Sequence, residues 1–105
     1  MTKYAKRIEA ADNVVTVLAP CVKGDEVVVN ENGGRQVYVC NQDVPFGHKI
    51  AAAGIGRGKR VVKYGETIGR ASRDIKKGDW VHTHNIVDDY LCLDKSGRPL
   101  PGQKT

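Results

Sequence analysis

Val27-Val28-Val29-Asn30-Glu31-Asn32-Gly33-Gly34-Arg35-Gln36-Val37-Tyr38-Val39-Cys40 sets two runs of β-branched and aromatic residues on either side of an Asn-Gly-Gly turn. Val and Tyr suit the pleated, half-buried surface of a strand. Asn-Gly suits a tight loop that needs φ > 0 at both central residues. The stretch therefore reads as a β-hairpin, and the same chemistry recurs outward from it. Strands are expected over residues 14–18, 27–30, 36–40, 49–52, 60–64, 67–71, 80–85 and 90–93. A short echo runs between them: Ile55-x-x-Gly58-x-x-Val61 returns as Ile75-x-x-Gly78-x-x-Val81 and, more weakly, as Cys21-x-x-Gly24-x-x-Val27. In each, an apolar residue anchors a turn, glycine supplies a left-handed position, and the chain re-enters a strand. No stretch keeps a 3.6-residue apolar period through three turns. The expected fold is a compact, mostly-β single domain, with no more than short helical turns leading into Gly24, Gly58 and Gly78.

With 105 residues, 40% hydrophobic and 28% charged, the chain has room for one core. No apolar run approaches the ~20 residues that span a bilayer. The basic start (Met1-Thr2-Lys3-Tyr4-Ala5-Lys6-Arg7) runs into Ile8-Glu9-Ala10-Ala11-Asp12-Asn13 and not into a signal-peptide core, so a cytoplasmic protein is expected. Cys21, Cys40 and Cys92 are an odd number with no C-x-x-C pair, and read as reduced, part-buried apolar residues. The net charge of +5 is scattered, with denser stretches at Arg57, Lys59, Arg60 and Lys63 and at Arg70, Arg73, Lys76 and Lys77. Aromatic platforms for bases are few, so binding of nucleic acid finds little support. Residues 1–11 read as an N-terminal segment, 12–93 as the domain, and the Pro- and Gly-containing 94–105 as a flexible tail.

The chemical lead is histidine. Trp80-Val81-His82-Thr83-His84-Asn85 holds two of the three in the chain. In an extended strand Trp80, His82 and His84 share one face, and imidazoles at i and i+2 stand about 6–7 Å apart, close enough to share a metal or flank one small substrate. The third, His48, follows the Pro45-Phe46-Gly47 turn.

Asp43-Val44-Pro45-Phe46-Gly47-His48-Lys49-Ile50, Val62-Lys63-Tyr64-Gly65-Glu66-Thr67-Ile68-Gly69 and Gly78-Asp79-Trp80-Val81-His82-Thr83-His84-Asn85, with Asp12-Asn13-Val14-Val15 before them, resemble in order and spacing the SAF domain of the altronate/galactarate dehydratase family. The resemblance implies a β-clip, a long bent hairpin folded over on itself. It also implies a small subunit of a two-component carbon–oxygen or carbon–sulfur lyase, inactive without a dehydratase large subunit and acting on a sugar acid such as altronate or galactarate. Removing a proton beside a carboxylate and expelling a β-hydroxyl calls for a base, an acid and a cation or Lewis acid. On this resemblance His48, His84 and Lys63 are the expected catalytic residues. Lys63, Tyr64 and Asn85 are expected to bind substrate, and His82 and His84 to ligate a divalent metal, Fe2+, shared with the large subunit. The alternatives are a non-catalytic sugar-acid-binding module and a small basic β-protein that binds nucleic acid.

Overall fold

The computed structural model describes residues 2–31 and 33–87. The expected strand over 90–93, Cys92 and the expected tail fall outside the described residues. Within them the chain forms strands and turns only: β1 (Lys3–Lys6), β2 (Val14–Val17), β3 (Glu26–Glu31), β4 (Gly34–Val39), β5 (Lys49–Ala51), β6 (Arg60–Lys63), β7 (Glu66–Ala71), β8 (Trp80–Val81) and β9 (Ile86–Val87). No described helix is long and apolar enough to cross a membrane. One sheet runs β4-β3-β1-β2-β5-β8 and the other β6-β7-β9. The β3–β4 hairpin closes on Glu31 opposite Gly34, with Gly33 at φ 72°, as the opening stretch of sequence requires. Two expectations change. The segment 1–11 is not outside the domain, because β1 lies inside the sheet, parallel to β3 and antiparallel to β2. The expected helical turns are four-residue hydrogen-bonded turns, since the glycine at each third position takes φ between 82° and 93° and stops any helix.

The echo has four members, not three. Each runs small or apolar residue, three residues, buried apolar residue, two residues, glycine, two residues, buried Val or Ile. The members start at Val17, Cys40, Ala51 and Ala71. The one missed on sequence is Val44-Pro45-Phe46-Gly47-His48-Lys49-Ile50, where proline disguises the likeness. Every turn closes in the same way: Asp25 N donates to Val22 O, His48 N to Pro45 O, Lys59 N to Gly56 O and Asp79 N to Lys76 O, at 2.9–3.1 Å. The units then pair reciprocally. Gly24 N donates to Cys40 O while Gly47 N donates to Val17 O; Gly58 N donates to Ala71 O while Gly78 N donates to Ala51 O. Their apolar anchors bridge across, Cys21 to Val44 and Ile55 to Ile75. Each unit thus supplies the turn amide that its partner's strand end needs, and the fold is two such exchanged pairs joined head to tail.

β2 and β5 run between two cores because their residues alternate faces. Val15, Val17 and Ile50 face one core, with Val27, Val29, Tyr38, Cys40 and Val44. Val14 and Ala51 face the other, with Ile55, Val61, Ala71, Ile75 and Val81. Burial of this kind is worth roughly 25 cal/mol per Å². At one end of this shared sheet the two faces carry different chemistry, and that end holds the candidate site.

Candidate active site

His48 enters β5 at the place in its unit where two sister units carry Asp25 and Asp79. Those carboxylates accept the first turn amide, Val22 N and Lys76 N, each at 2.8 Å. In the His48 unit the equivalent residue is Pro45, which has no N–H to satisfy. The position is therefore released from capping, and its imidazole turns to Trp80. Trp80 Nε1 donates to His48 Nδ1 at 3.2 Å, so this nitrogen is an acceptor and the neutral ring carries its proton on Nε2.

Trp80 is the hub of the three histidines. Its ring lies 5.7 Å from His48, stacks on His82 at 5.6 Å and 7°, and meets His84 at 5.0 Å; the His48 and His82 rings are themselves 4.8 Å apart. Sequence reasoning thus grouped the right rings for a partly wrong reason. β8 ends at Val81, and residues 82–85 are a turn in place of a strand, closed by Asn85 N and Ile86 N donating to His82 O. The side chain of Asn85 enforces it: Oδ1 accepts from His82 N at 2.9 Å and Nδ2 donates to Trp80 O at 2.8 Å. Asn85 is 4% exposed. Expected to bind substrate hydroxyls, it holds the turn that carries His82 and His84 through these two bonds, with one N–H and one lone pair of its amide beyond them.

His84 is exposed, and with Trp80, Asn85, Gln42, Arg73 and Asp79 it borders a cleft of about 210 Å³. Burial, joined by the charges of His48, Lys49 and His84, lowers the pKa of His82 below the ordinary histidine value and favours its neutral form. Lys63 and Tyr64 stand apart from this group. No hydrogen bond or ring contact joins either to a histidine among the described residues; the Lys63 ammonium lies 4.9 Å over the Tyr64 ring. Tyr64 and Gly65 make the two-residue β6–β7 turn, both left-handed (φ 58° and 73°). A left-handed tyrosine is an unusual expense for a turn. It is held by buried Asp12, whose carboxylate accepts from Gly65 N (2.8 Å), Tyr64 N (3.1 Å) and Glu9 N (3.0 Å). Burial pushes the Asp12 pKa up, but these amide donors outweigh it and leave the group below the usual carboxylate value.

Two residues of this region escaped the sequence reading. Asp12 belonged to a quoted motif without receiving a role. Lys49, beside His48, read as one scattered charge among many, although its place between His48 and Ile50 in a strand was the available signal. Among the described residues no group of three or more His, Cys, Asp or Glu is arranged to hold a metal ion. His82 and His84, the expected ligands, offer imidazole nitrogens but not a complete coordination set among the described residues.

The sequence as a whole answers to known proteins. The family model of the altronate/galactarate dehydratase SAF domain matches residues 3–89. The altronate dehydratase of Escherichia coli (strain K12) is 42% identical over 89 residues, which are 85% of this chain and 17% of that protein. The altronate dehydratase of Bacillus subtilis (strain 168) is 38% identical over 79 residues, 75% of this chain and 15% of that protein. The chain therefore spans only about a sixth of the length of these dehydratases. A third relative, the (2R)-sulfolactate sulfo-lyase subunit alpha of Paracoccus pantotrophus, is 39% identical over 59 residues, 56% of this chain but 87% of that subunit. The four-unit β framework, the histidines gathered on Trp80 and the Asp12-held Tyr64 turn are thus those of a member of the SAF-domain family of altronate and galactarate dehydratases.

Proposed function

We propose that this chain is the small component of a two-component lyase that removes water, or an equivalent leaving group, from a hydroxylated carboxylic acid. The observation that carries this reading is the match over 87% of a relative that is itself a lyase subunit, together with the histidines gathered on Trp80. In this reading His48 and His84 exchange protons with the substrate, and neutral His82 stands ready as an acceptor. Lys63 and Tyr64 bind the acid group and a hydroxyl. A divalent metal such as Fe2+ would be shared with the large component, with His82 and His84 as this chain's ligands. A preference among altronate, galactarate and sulfolactate belongs to the pair of components together.

The surface beside the histidines supports a partner. Phe46 is 64% exposed and Val22 55%, and Pro20, Pro45 and Trp80 join Val22 along a shallow apolar groove. Exposed apolar area next to a site marks a place where another surface sits. The test is co-expression with a dehydratase large component, purification of the pair, and assay on altronate, galactarate and sulfolactate with ferrous ion. Turnover is expected from the pair and from neither part alone. Full turnover by this chain alone, or a pair that co-purifies with no activity on any of the three acids, rules the reading out.

A further inference from the structure

β4 ends the six-stranded sheet, and among the described residues nothing pairs with its outer edge. Its register with β3 shows which groups that edge offers. Glu31 and Gly34 flank the two-residue turn and face each other, so they exchange both of their backbone bonds. Along the ladder Val29–Gln36 and Val27–Tyr38 do the same, while Asn30–Arg35 and Val28–Val37 do not. The N–H and C=O groups of Arg35 and Val37 therefore point away from β3, and no described residue bonds to them. Val39 is closed off, since Gly78 packs on its carbonyl too closely for any side chain. Proteins usually blunt an open edge with proline, lysine, a bulge or shortness. The β6 edge of the other sheet has a register shift at Val61/Val62 and ends on Lys63, and β8 and β9 are two residues long. β4 has six residues and none of these devices, and Val37 is 44% exposed on its outward face.

We infer that the β4 edge is the docking strand for a second copy of this chain, paired antiparallel about a twofold axis at Gln36. In that register Arg35 of one copy faces Val37 of the other, and the two exchange N–H···O bonds on both sides of the axis. A twofold pairing needs a surface that complements itself, and β4 supplies one. Among the described residues Arg35 has no carboxylate within ion-pair distance, and Glu26 has no cation. Both are exposed at a hollow of about 410 Å³ that Asp25, Val28 and Val37 also border. Standing opposite Val37 of the second copy, Arg35 enters that copy's hollow, with its aliphatic stem over the exposed valine. Glu26 of the second copy lies one strand further across and two residues along, because Val28 is the neighbour of Val37. At ordinary strand spacings the two Cα atoms stand roughly 12 Å apart, a gap that these long side chains close. The axis repeats the pair, so each copy gives one arginine and takes one. Asp25 is already engaged by Lys3 and leaves Glu26 as the acceptor. The pairing uses none of the histidine cluster, so it is independent of the lyase reading and would place two such clusters in one particle.

The full chain tests this by sedimentation equilibrium over about 10–500 μM, with amide exchange of Arg35 and Val37 followed by NMR across the same range. The mass should rise from that of one chain to that of two, and both amides should become protected only as the dimer forms. Val37→Pro removes an edge N–H that β3 does not use and should weaken dimerisation at least about tenfold; Val37→Lys should do the same by charge. Arg35→Glu or Glu26→Arg alone should weaken it by about tenfold, while the two together restore it. Urea melts of dilute protein check that each variant folds. A chain that stays monomeric throughout, a dimer unmoved by both Val37 variants, or charge reversals without rescue overturns the proposal. Protection of the Val37 amide in a monomer places this chain's own residues 90–93 on the edge and overturns it too. The lyase reading is judged separately, by turnover of the co-expressed pair.

Discussion

Replacing Asp12 with alanine should unfold more than its short side chain suggests. The carboxylate is 2% exposed and serves three backbone amides, those of Glu9, Tyr64 and Gly65. A hydrogen bond to a charged group contributes about 1.5–3 kcal/mol when fully buried, but the Tyr64-Gly65 turn is exposed and water would reach its amides once the carboxylate is gone. Counting roughly 1 kcal/mol for each amide gives a destabilisation of about 3 kcal/mol. With a urea m value of about 1.5 kcal/mol/M, the midpoint should fall by about 2 M at unchanged slope. Asp12→Asn, which keeps the shape and one acceptor, should lose about half as much. A second substitution tests the link to the strained turn. Tyr64→Gly should relieve the left-handed penalty of about 1 kcal/mol, less glycine's gain in unfolded freedom. That relief should shrink in the Asp12→Ala background, where the turn relaxes on its own. A midpoint shift below about 0.3 M, or strict additivity of the two changes, would refute the argument that Asp12 holds Tyr64 in place.

In the reconstituted lyase, His48→Ala or His84→Ala should lower turnover by about a hundredfold or more, the scale of a positioned acid or base, while Thr83→Ala leaves it intact. Chain stability against pH gives an independent reading of His82. Its folded pKa lies below the ordinary 6.5, so the unfolded chain takes up more protons as pH falls through 6.5, and stability is full above that pH and declines below it. His82→Gln should flatten this step in urea melts run in chelator. The loss that sets in below pH 3.8, where the unfolded chain's Asp12 takes up a proton that the depressed folded group does not, should remain. The thiols should be inert: burial pushes Cys40 up to about 12 and Cys21 upward too. In a Cys92→Ser background, their reaction with a disulfide reagent at pH 8 should be at least about a hundredfold slower than after unfolding.

Much of this was legible because it is local. The Asn32-Gly33 loop, the β-branched strands and three of the four glycine turns follow from residue types within seven positions of each other. What was not legible depends on long-range partners. β1 carries only Lys3-Tyr4-Ala5-Lys6, too polar to announce a strand, and becomes one because β2 and β3 hydrogen-bond it from both sides. The extended run expected through Asn85 fails because a buried Asn side chain competes with the ladder for His82 N and Trp80 O. The gathering of His48 onto Trp80 was invisible along the chain, where 32 residues separate them. The histidines and Lys63 were expected in one pocket; among the described residues no hydrogen bond or ring contact joins them, and the Lys63 ammonium lies over the Tyr64 ring.

The exchanged turns have a consequence for how such a domain can change its chemistry. Four sites, occupied here by Asp25, His48, Lys59 and Asp79, follow a left-handed glycine in the same backbone setting. At Asp25 and Asp79, whose turns begin with Val22 and Lys76, the site is tied to a carboxylate that caps an amide, whereas Lys59, whose turn begins with Gly56, carries no carboxylate. Where the turn begins with proline, that tie is dissolved and any side chain can take the place without orphaning a donor. One proline therefore acts as a permit, converting a scaffold position into a reactive one at the cost of no hydrogen bond. At a sister turn the same paired change, Lys76→Pro with Asp79→His, would free the turn amide but also remove the carboxylate oxygen that accepts from Asn41 Nδ2 at 2.8 Å, so a second imidazole of this kind would have to replace that bond as well.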